Sequence, residues 1–298
     1  MINPAPVSMI TTVRNEVASI LALLESYRQQ TKHASEFIIV DGGSTDGTIE
    51  AITGYAASHP KLNICLVTAP ECSPAHTLAP IARARNLAIQ KTSHEIIAVT
   101  DAGCVLHPDW LVNITAPLNH ADIVAGWYQY NVKSPFQSRY ACLMEPNPKT
   151  INPKTVLPSS RSIAFKKSCW RAIGGYPELS YSGEDTFFDI KLHRAGYAFA
   201  FEPMALVYWT PPQTFTEAIK KHRWYSYGDG QLHLRKFLHF SRMLCLLFPC
   251  FLLIDRRKRK HFFLAYCLTG AQVIGFVMGF LSSVRRFKAR QPSISSTH

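Results

Sequence analysis

The chain has 298 residues, of which 47% are hydrophobic and 17% are charged, a composition that excludes a disordered protein and can bury a large core. Its net charge of +12 is concentrated near one end, because residues 235–290 carry twelve Lys and Arg against one acid, a net charge of +11. A basic segment beside apolar stretches favours a membrane with anionic lipid as its partner over nucleic acid, and no base-reading motif is present.

Short apolar runs alternate with helical patterns over the first hundred residues. The runs VSMITTV, EFIIV, LNICLVT and EIIAVT are too short for helices, and their weak polar alternation is typical of strands covered on both faces. Helical patterns lie between them at residues 16–30, after Asp46 and over IARARNLAIQ. This order predicts βαβ units and a doubly wound α/β sheet.

The pattern becomes mixed after residue 122. Strand-like DIVAGWYQY, SIAF and FAFEPMALVYW are interrupted by a loop rich in Pro and Asn and by a helix that follows GED. We find no internal repeat. We therefore expect a catalytic domain over residues 1–234 and a helical, membrane-associating tail over residues 235–298.

The tail contains two apolar segments, residues 237–254 and 262–284, separated by DRRKRKH. The second is long enough to span a bilayer, whereas the first is marginal and contains Arg242 and Pro249. If both spanned, the basic loop would lie across the membrane from the N-terminal domain, against the positive-inside tendency. We expect the first segment to be re-entrant or interfacial; the alternative is two buried helices of a soluble domain.

Two features of the sequence bear on the compartment. The N-terminus has no basic region followed by an apolar signal core, so the catalytic part is expected at the cytoplasmic face of the membrane. Eight cysteines are scattered without a C-x-x-C pair, which favours buried reduced thiols over a zinc site or a disulfide framework.

Two of the predicted strands end in an acid. Asp41 follows EFIIV and Asp101 follows IIAVT, so both should lie at the carboxyl edge of the sheet, where ligands bind in open parallel sheets. A desolvated carboxylate needs a partner or a metal, which favours a functional role for Asp101. Asp41 has the alternative of capping the following turn. Asp46 is expected to be the N-cap of the next helix.

The motifs TTVRNE, VDGGSTDGT, RARN and TDAGC follow one another in the order and approximate spacing seen in family 2 glycosyltransferases. The chain resembles this family over residues 5–231, and GGYPE, GED and HRWYSYGDG are similar to its acceptor-side elements. The resemblance implies a GT-A-type mixed sheet. It also implies inverting transfer of a sugar from a nucleoside diphosphate donor to a lipid-linked or cell-envelope glycan acceptor.

The resemblance also implies residue roles. Asp101 is the expected ligand of Mg²⁺ or Mn²⁺, Asp185 the general base and Glu184 its orienting partner. Arg83 is an equal alternative to Arg85 for the charge near the pyrophosphate. Residues expected at the nucleotide are Thr12, Arg14, Glu16, Asp41 and Arg85. Residues expected at the acceptor or sugar are Arg161, in the SSRS segment, and Tyr176, Arg223 and Trp224.

The sequence departs from the family pattern at three positions. Gly103 stands at the third position of the common D-x-D, so one carboxylate is missing. Trp209 occupies the neighbourhood of a histidine that follows the last core strand in metal-dependent relatives. We therefore expect weak metal affinity without donor, with a metal-independent reaction as the alternative. Lys220 replaces the Gln of a Q-x-x-R-W element, so processivity is not supported.

Two other classes of function compete with this assignment. A nucleotidyltransferase usually has a Gly-rich phosphate loop with Lys or Arg after its first strand, and TTVRNE has none. A non-catalytic, membrane-bound nucleotide-sugar binding protein would have no use for a general base at Asp185. The sequence therefore favours the glycosyltransferase.

Overall fold

The computed structural model describes residues 5–290, with side chains through residue 285. Residues 1–4 and 291–298, at the outer ends of the two predicted domains, lie outside the described part. The described chain forms two compact units. The first comprises residues 5–132 and 145–211, and the second comprises residues 133–144 and 212–290. The predicted division into a catalytic domain before residue 234 and a membrane-associating tail after it stays a prediction.

The first unit is built on a mixed sheet with the strand order β3-β2-β1-β4-β7-β6-β8-β5 among the described residues. Strands β1 to β4 are mutually parallel, β7 is antiparallel to β4 and β6, and β5 is antiparallel to β8. The mixed α/β sheet predicted from sequence is thereby confirmed. The strands are β1 Val7–Val13, β2 Glu36–Asp41, β3 Ile64–Thr68, β4 Ile96–Val99, β5 Cys104–Leu106, β6 Ile123–Tyr130, β7 Ile163–Lys166 and β8 Phe199–Trp209.

Helices cover both faces of this sheet. Successive residues of β1 enter different core clusters, Met9 on one face and Ile10 on the other, which explains why the strand shows no polar alternation. The helices of the first unit are α1 Val17–Arg28, α2 Thr48–Ser58, α3 Pro80–Lys91, α4 Trp110–Thr115, α6 Lys167–Ala172 and α7 Glu184–Arg194. Those of the second unit are α5 Pro135–Met144, α8 Phe215–Gln231, α9 Lys236–Leu247, α10 Arg256–Lys260 and α11 Phe262–Arg290.

The carboxyl ends of the central strands lie at one edge of the sheet. Val13 is in register with Asp41 across β1 and β2, and Ile10 is in register with Val99 across β1 and β4. Asp101 follows the end of β4 by two residues. The loops after β1, β2 and β4 therefore converge on one crevice, as predicted for a doubly wound sheet.

Helix α11 packs on α8 through glycines in the second unit. A Cβ atom built on Gly279 would overlap the carbonyl oxygen of Tyr227, and one built on Gly275 would overlap that of Arg223. On α8, a Cβ on Gly230 would overlap the carbonyl oxygen of Phe276. Small residues four apart let two helix backbones approach closely. Any residue larger than glycine at these positions would push the helices apart.

The two apolar segments of the tail differ in structure. The first forms α9, which ends before Pro249, and a short 3₁₀ turn over Pro249–Leu253. The second lies within α11, where Phe262–Arg285 has a mean hydropathy of 1.7. Among the described residues, this is the one helix long and apolar enough, by length and composition, to cross a membrane.

The cysteines are unpaired in the described chain, but they are not uniformly buried. Cys104 is fully buried, and burial raises the pKa of its thiol to about 12. Cys65 is exposed because it lies on β3, the edge strand of the sheet, and Cys250 is exposed on the 3₁₀ turn. The expectation of burial is therefore wrong for these two residues.

Candidate active site

Arg85 is the centre of a buried charge network in the first unit. The residue is 4% exposed on α3, and its Nη2 donates to Asp101 Oδ1 at 2.8 Å. Its Nη1 donates to Glu184 Oε1 at 2.6 Å. One guanidinium thus ties an acid at the end of β4 to an acid in the first turn of α7. These contacts belong to Arg85 and not to Arg83, between which the sequence could not choose.

The acids of the GED motif open α7. Gly183, with φ of 81°, adopts the left-handed conformation that glycine permits, and the helix begins at the next residue. Burial, and then the neighbouring Asp185, raise the pKa of Glu184 to about 7, although the Arg85 guanidinium opposes this shift. Asp185 is half-buried, and its Oδ1 accepts the backbone N–H of Thr186 at 2.7 Å. The two adjacent carboxylates therefore have different environments.

Asn86, the last residue of RARN, holds the GGYPE turn and was missed as a site residue. Its Oδ1 accepts from the Tyr176 backbone N–H at 2.9 Å and from Trp170 Nε1 at 3.0 Å. A Cβ on Gly175, whose φ is +75°, would lie 2.8 Å from that same Oδ1, so only glycine fits the turn. Two adjacent residues of α3, Arg85 and Asn86, thereby fix the elements that carry the site acids.

Tyr176, expected at the acceptor, lies in the core of the first unit. Its ring is 1% exposed and stacks on Phe188 at a centroid distance of 4.1 Å. The Cζ atom of Arg85 lies 5.5 Å from the centre of the same ring. In this structure the tyrosine therefore packs in the core beside the guanidinium of Arg85.

A second arginine lies near Asp101. Arg161 Nε is 4.0 Å from Asp101 Oδ2, and its Cζ lies 4.3 Å from the Trp209 ring centre and 5.1 Å from that of Tyr128. Asp101 thus has a guanidinium on each side. The sequence named Arg161 and Trp209 separately, but nothing in it indicated that they pack together.

The residues predicted at the nucleotide lie at the ends of β1 and β2. Asp41 is fully buried, and its Oδ1 accepts the backbone N–H groups of Gly43 and Ser44, both at 2.8 Å. Asp41 therefore caps the turn after β2, the alternative that the sequence left open. At the end of β1, Thr12 and Glu16 are half-buried and Arg14 is exposed.

Asp46 was expected to be the N-cap of α2, but it lies one residue before that position. Its Oδ1 accepts the backbone N–H of Thr48 at 3.1 Å, while Gly47 is the residue at the formal N-cap position. Its Oδ2 also accepts the backbone N–H of Val17 at 3.2 Å. The side chain thus links the starts of α1 and α2.

Arg223 and Trp224 lie on α8 in the second unit. Trp224 is exposed, and its ring meets that of Tyr227 edge to face at 5.6 Å. Arg223 presents its carbonyl oxygen to Gly275 of α11. Their role at the acceptor stays a prediction.

The acids can be tested for a fit to a divalent cation. The described residues contain no group of three or more His, Cys, Asp or Glu side chains that could hold a metal. Asp101 is partly exposed, with one oxygen bound to Arg85. Mg²⁺ is often held by one or two carboxylates together with substrate phosphates and waters. Asp101 alone is therefore too few ligands for a cation, but its chemistry suits one that would also be bound by phosphate oxygens and waters.

The fold has solved relatives. A mannosyltransferase from Pyrobaculum calidifontis, solved in complex with GDP-Man and Mn²⁺, aligns with 98% of this chain and 77% of its own at a TM-score of 0.61 and 19% identity. Residues 1–349 of TarS from S. aureus, solved with UDP, align with 97% of this chain and 93% of their own length, at a TM-score of 0.55 and 17% identity. These likenesses show that the chain has a GT-A-type fold.

Sequence comparison gives the family. The model of the family described as "Glycosyl transferase family 2" matches residues 8–172, and that of "Glycosyl transferase family group 2" matches residues 96–290. The chain belongs to glycosyl transferase family 2, which confirms the resemblance seen in its motifs.

Curated relatives are distant. The chain is 26% identical to glycosyltransferase AglE of Haloferax volcanii over 76% of its length and 73% of the relative's. It is 24% identical to the O-antigen chain rhamnosyltransferase WbaN of Salmonella anatum, over 64% of this chain and 62% of the relative. A poly-beta-1,6-N-acetyl-D-glucosamine synthase of Staphylococcus aureus is also 24% identical, over 82% and 57%. The chain thus spans less than two thirds of the latter two proteins.

Proposed function

We propose that this glycosyltransferase is membrane-associated and inverting. It would move a sugar from a nucleoside diphosphate donor to a hydroxyl or phosphate of a lipid-linked or cell-envelope glycan acceptor. The observation that carries the proposal is the link made by Arg85 between Asp101, at the donor edge, and Glu184, which adjoins Asp185. A carboxylate expected at the diphosphate and one suited to proton transfer are thereby held in a fixed relation.

The proposed chemistry is a single displacement. The acceptor oxygen attacks the anomeric carbon as the bond to the diphosphate breaks, and the acceptor proton passes to Asp185. Glu184 is held by Arg85 and orients the start of α7, so that the base is fixed before the acceptor arrives. When bound to Asp101 and the diphosphate, Mg²⁺ or Mn²⁺ would neutralise charge on the leaving group.

The donor assignment draws on the sheet edge and on the relatives. Thr12 lies at the end of β1, and Arg14 and Glu16 follow the strand, beside the turn that Asp41 caps. Solved relatives carry GDP-Man or UDP, which supports a nucleotide-sugar donor here. Family membership also favours transfer of a sugar over the nucleotidyltransferase and the non-catalytic binding protein.

The proposed membrane association draws on the second unit. Its α11 has the length and composition of a membrane span, α9 exposes Phe237 and Phe240, and the basic α10 follows later in the chain. An amphipathic segment with Lys and Arg suits the surface of an anionic membrane. We place the unit at the cytoplasmic face, where a lipid-linked acceptor would be within reach.

The test is donor binding by the purified chain. UDP-, GDP- and dTDP-sugars are screened for thermal stabilisation with and without Mn²⁺, and at least one should raise the melting temperature. Asp101→Asn keeps an oxygen for Arg85 and should lose the Mn²⁺-dependent part. Asp109→Asn, which changes a half-buried acid at the start of α4, should behave as wild type. No stabilisation by any donor would contradict the proposal.

A further inference from the structure

We propose that Ser44, Asp46 and Thr48 are positioning residues of the donor site. They hold the loop after β1 (residues 14–16), which carries two of the residues expected at the nucleotide. The inference rests on the proposed function, because it concerns the donor site proposed there. It gives the polar residues of the VDGGSTDGT motif a role beyond the turn after β2, and it uses residues of the first unit alone.

Hydrogen bonds in both directions join the loop after β1 to this motif. The backbone N–H of Asn15 donates to Ser44 Oγ at 2.9 Å, and Asn15 Oδ1 accepts the backbone N–H of Thr45 at 2.8 Å. At the next position, the backbone N–H of Glu16 donates to Thr48 Oγ1 at 2.9 Å. Side chains of the motif therefore fix the backbone of the loop at consecutive residues.

The motif also fixes the start of α1, the helix into which the loop leads. The backbone N–H of Val17, the first residue of α1, donates to Asp46 Oδ2 at 3.2 Å. The first N–H groups of a helix have no acceptor within the helix, so an acceptor from outside stabilises that end. The loop is thus held where it enters the helix as well as along its length.

The two hydroxyl groups that accept from the loop donate their own protons to acids. Ser44 Oγ donates to Asp41 Oδ2, and Thr48 Oγ1 donates to Asp46 Oδ1. A hydroxyl has one proton and two lone pairs, so each is left oriented to accept from the loop. Thr48 is fully buried, so water does not compete with the N–H of Glu16 for its oxygen. The acceptors are therefore in place before a donor arrives.

The backbone of the loop explains why it needs this support. Asn15 has a φ of 54°, in the left-handed region that most residues avoid and asparagine tolerates. Residues in that region persist where their surroundings hold them, and they cluster at ligand sites. Arg14 and Glu16 flank Asn15. A change in the Asn15 backbone would consequently turn both side chains relative to the edge of the sheet.

The side chain of Arg14 lies against the turn after β2. A Cβ atom built on Gly42 would lie 3.8 Å from Arg14 Cδ and 3.4 Å from the carbonyl oxygen of Cys72. Arg14 is exposed as a whole, so its guanidinium is accessible to a nucleotide at this edge. The segment after β2 thus contributes to the position of this arginine through packing as well as through hydrogen bonds.

The experiment compares nucleotide affinity and fold stability for two buried threonines. Thr48→Val removes the hydroxyl and keeps the shape, and Thr48→Ser restores the hydroxyl. Thr92→Val is the matched control, because Thr92 is 5% exposed and its Oγ1 donates to the carbonyl oxygen of Ile89 at 2.7 Å, after the end of α3. Affinities for UDP, GDP and dTDP are measured by calorimetry with Mn²⁺, and the free energy of unfolding is measured in denaturant. Asp46→Asn, in which an amide replaces one acceptor oxygen, takes the place of Thr48→Val if that variant does not fold.

Both Thr→Val variants should lose stability, but only Thr48→Val should lose affinity. We expect it to weaken diphosphate binding roughly 10-fold, a coupling typical of residues in one hydrogen-bond network. Thr48→Ser and Thr92→Val should bind as the wild type does. Because Thr48 acts through the loop, its loss combined with Arg14→Met should weaken binding by less than the product of the two separate effects.

Three results would overturn the positioning role alone. These are equal affinities of the wild type and Thr48→Val, an equal loss of affinity in Thr92→Val, and losses in the double variant that multiply or abolish measurable binding. Failure of every diphosphate to bind to the wild type would overturn the proposed donor site as well.

Discussion

Arg85 and Asp101 are 16 residues apart in the chain, and a 2.8 Å hydrogen bond joins Nη2 of the arginine to Oδ1 of the aspartate. The bond links the middle of α3 to the end of β4. Because the other arm of the same guanidinium holds Glu184, the arginine connects elements from three separate parts of the first unit. Both the stability and the chemistry of the site should depend on it.

Replacing Arg85 by Met should destabilise the protein strongly, because Glu184 would remain buried without its partner. Breaking a buried ion pair from one side typically costs about 3–5 kcal/mol. The measurement is the free energy of unfolding in denaturant. Arg83→Met is the matched control, since Arg83 is half-buried on the same helix, and it should cost far less. Equal losses for the two variants would contradict the network.

The glycines of α11 provide a second matched pair. Gly279→Ala should destabilise the second unit because the added methyl group would overlap the Tyr227 carbonyl oxygen. Gly270→Ala, in the same helix, would place its methyl group 4.0 Å from Leu246 Cδ2, an ordinary contact. Melting temperatures of the two variants in one detergent should therefore differ, with Gly270→Ala close to wild type. A tolerated Gly279→Ala would mean that α8 and α11 are not packed this closely.

His222 of α8 should make stability depend on pH. Burial, followed by the charges of Arg242 and Lys221, lowers the pKa of His222 from 6.5 to about 4. Tyr140 Oη and Gln272 Nε2 each lie 2.9 Å from one of its ring nitrogens. The folded state therefore favours the neutral ring.

This lowered pKa determines the direction in which the stability of the fold changes with pH. Stability is fully present above pH 6.5 and is lost as the pH falls toward 4, by up to about 3 kcal/mol. Unfolding curves at several pH values should show this loss in the wild type and a smaller one in His222→Gln. His120→Gln, which changes an exposed histidine, is the control. A wild-type curve as flat as that of His222→Gln would contradict the buried neutral ring.

Membrane binding should combine charge with apolar insertion. The full-length chain should float with liposomes that contain anionic lipid, and high salt should release it only in part, because screening weakens the basic contacts but not the apolar ones. The double variant Phe237→Ser with Ile254→Ser should bind more weakly at high salt. Met204→Ser, which changes an exposed apolar residue of β8, should not. A full-length chain that stays unbound at low salt would refute the membrane assignment.

Truncation after residue 234 is not a suitable test of membrane binding, because α8 lies in the second unit and packs on α11. A truncated chain would expose the glycine-lined face of α8. Point substitutions on exposed residues avoid this difficulty.

Local patterns predicted much of the fold. The apolar run before Asp41 identified β2, and the GED motif placed the start of α7, because strand burial and helix initiation depend on neighbouring residues. The short strand β5 and helix α4 were not predicted. Each has at most six residues, which is too few for a periodic signal.

Contacts between distant residues could not be predicted. Asn86 holds Tyr176 across 90 residues, and Arg161 packs on Trp209 across the sheet. The composition of RARN and SSRS gave candidates, but only the fold brings each to its partner. The Gly275 and Gly279 spacing was visible in the sequence, and its partner on α8 was not.

The measurement that tests the central claim most directly compares donor affinity and sugar transfer on the same preparation of Asp185→Asn. The variant keeps the size of the side chain but cannot accept a proton, so donor affinity should stay near wild type. Transfer of labelled sugar to lipid extracted from membranes that contain the protein should fall by about 10² to 10⁴, the usual contribution of a general base. Glu184→Gln should lower transfer less. Near wild-type transfer by Asp185→Asn would contradict the account and assign the base elsewhere.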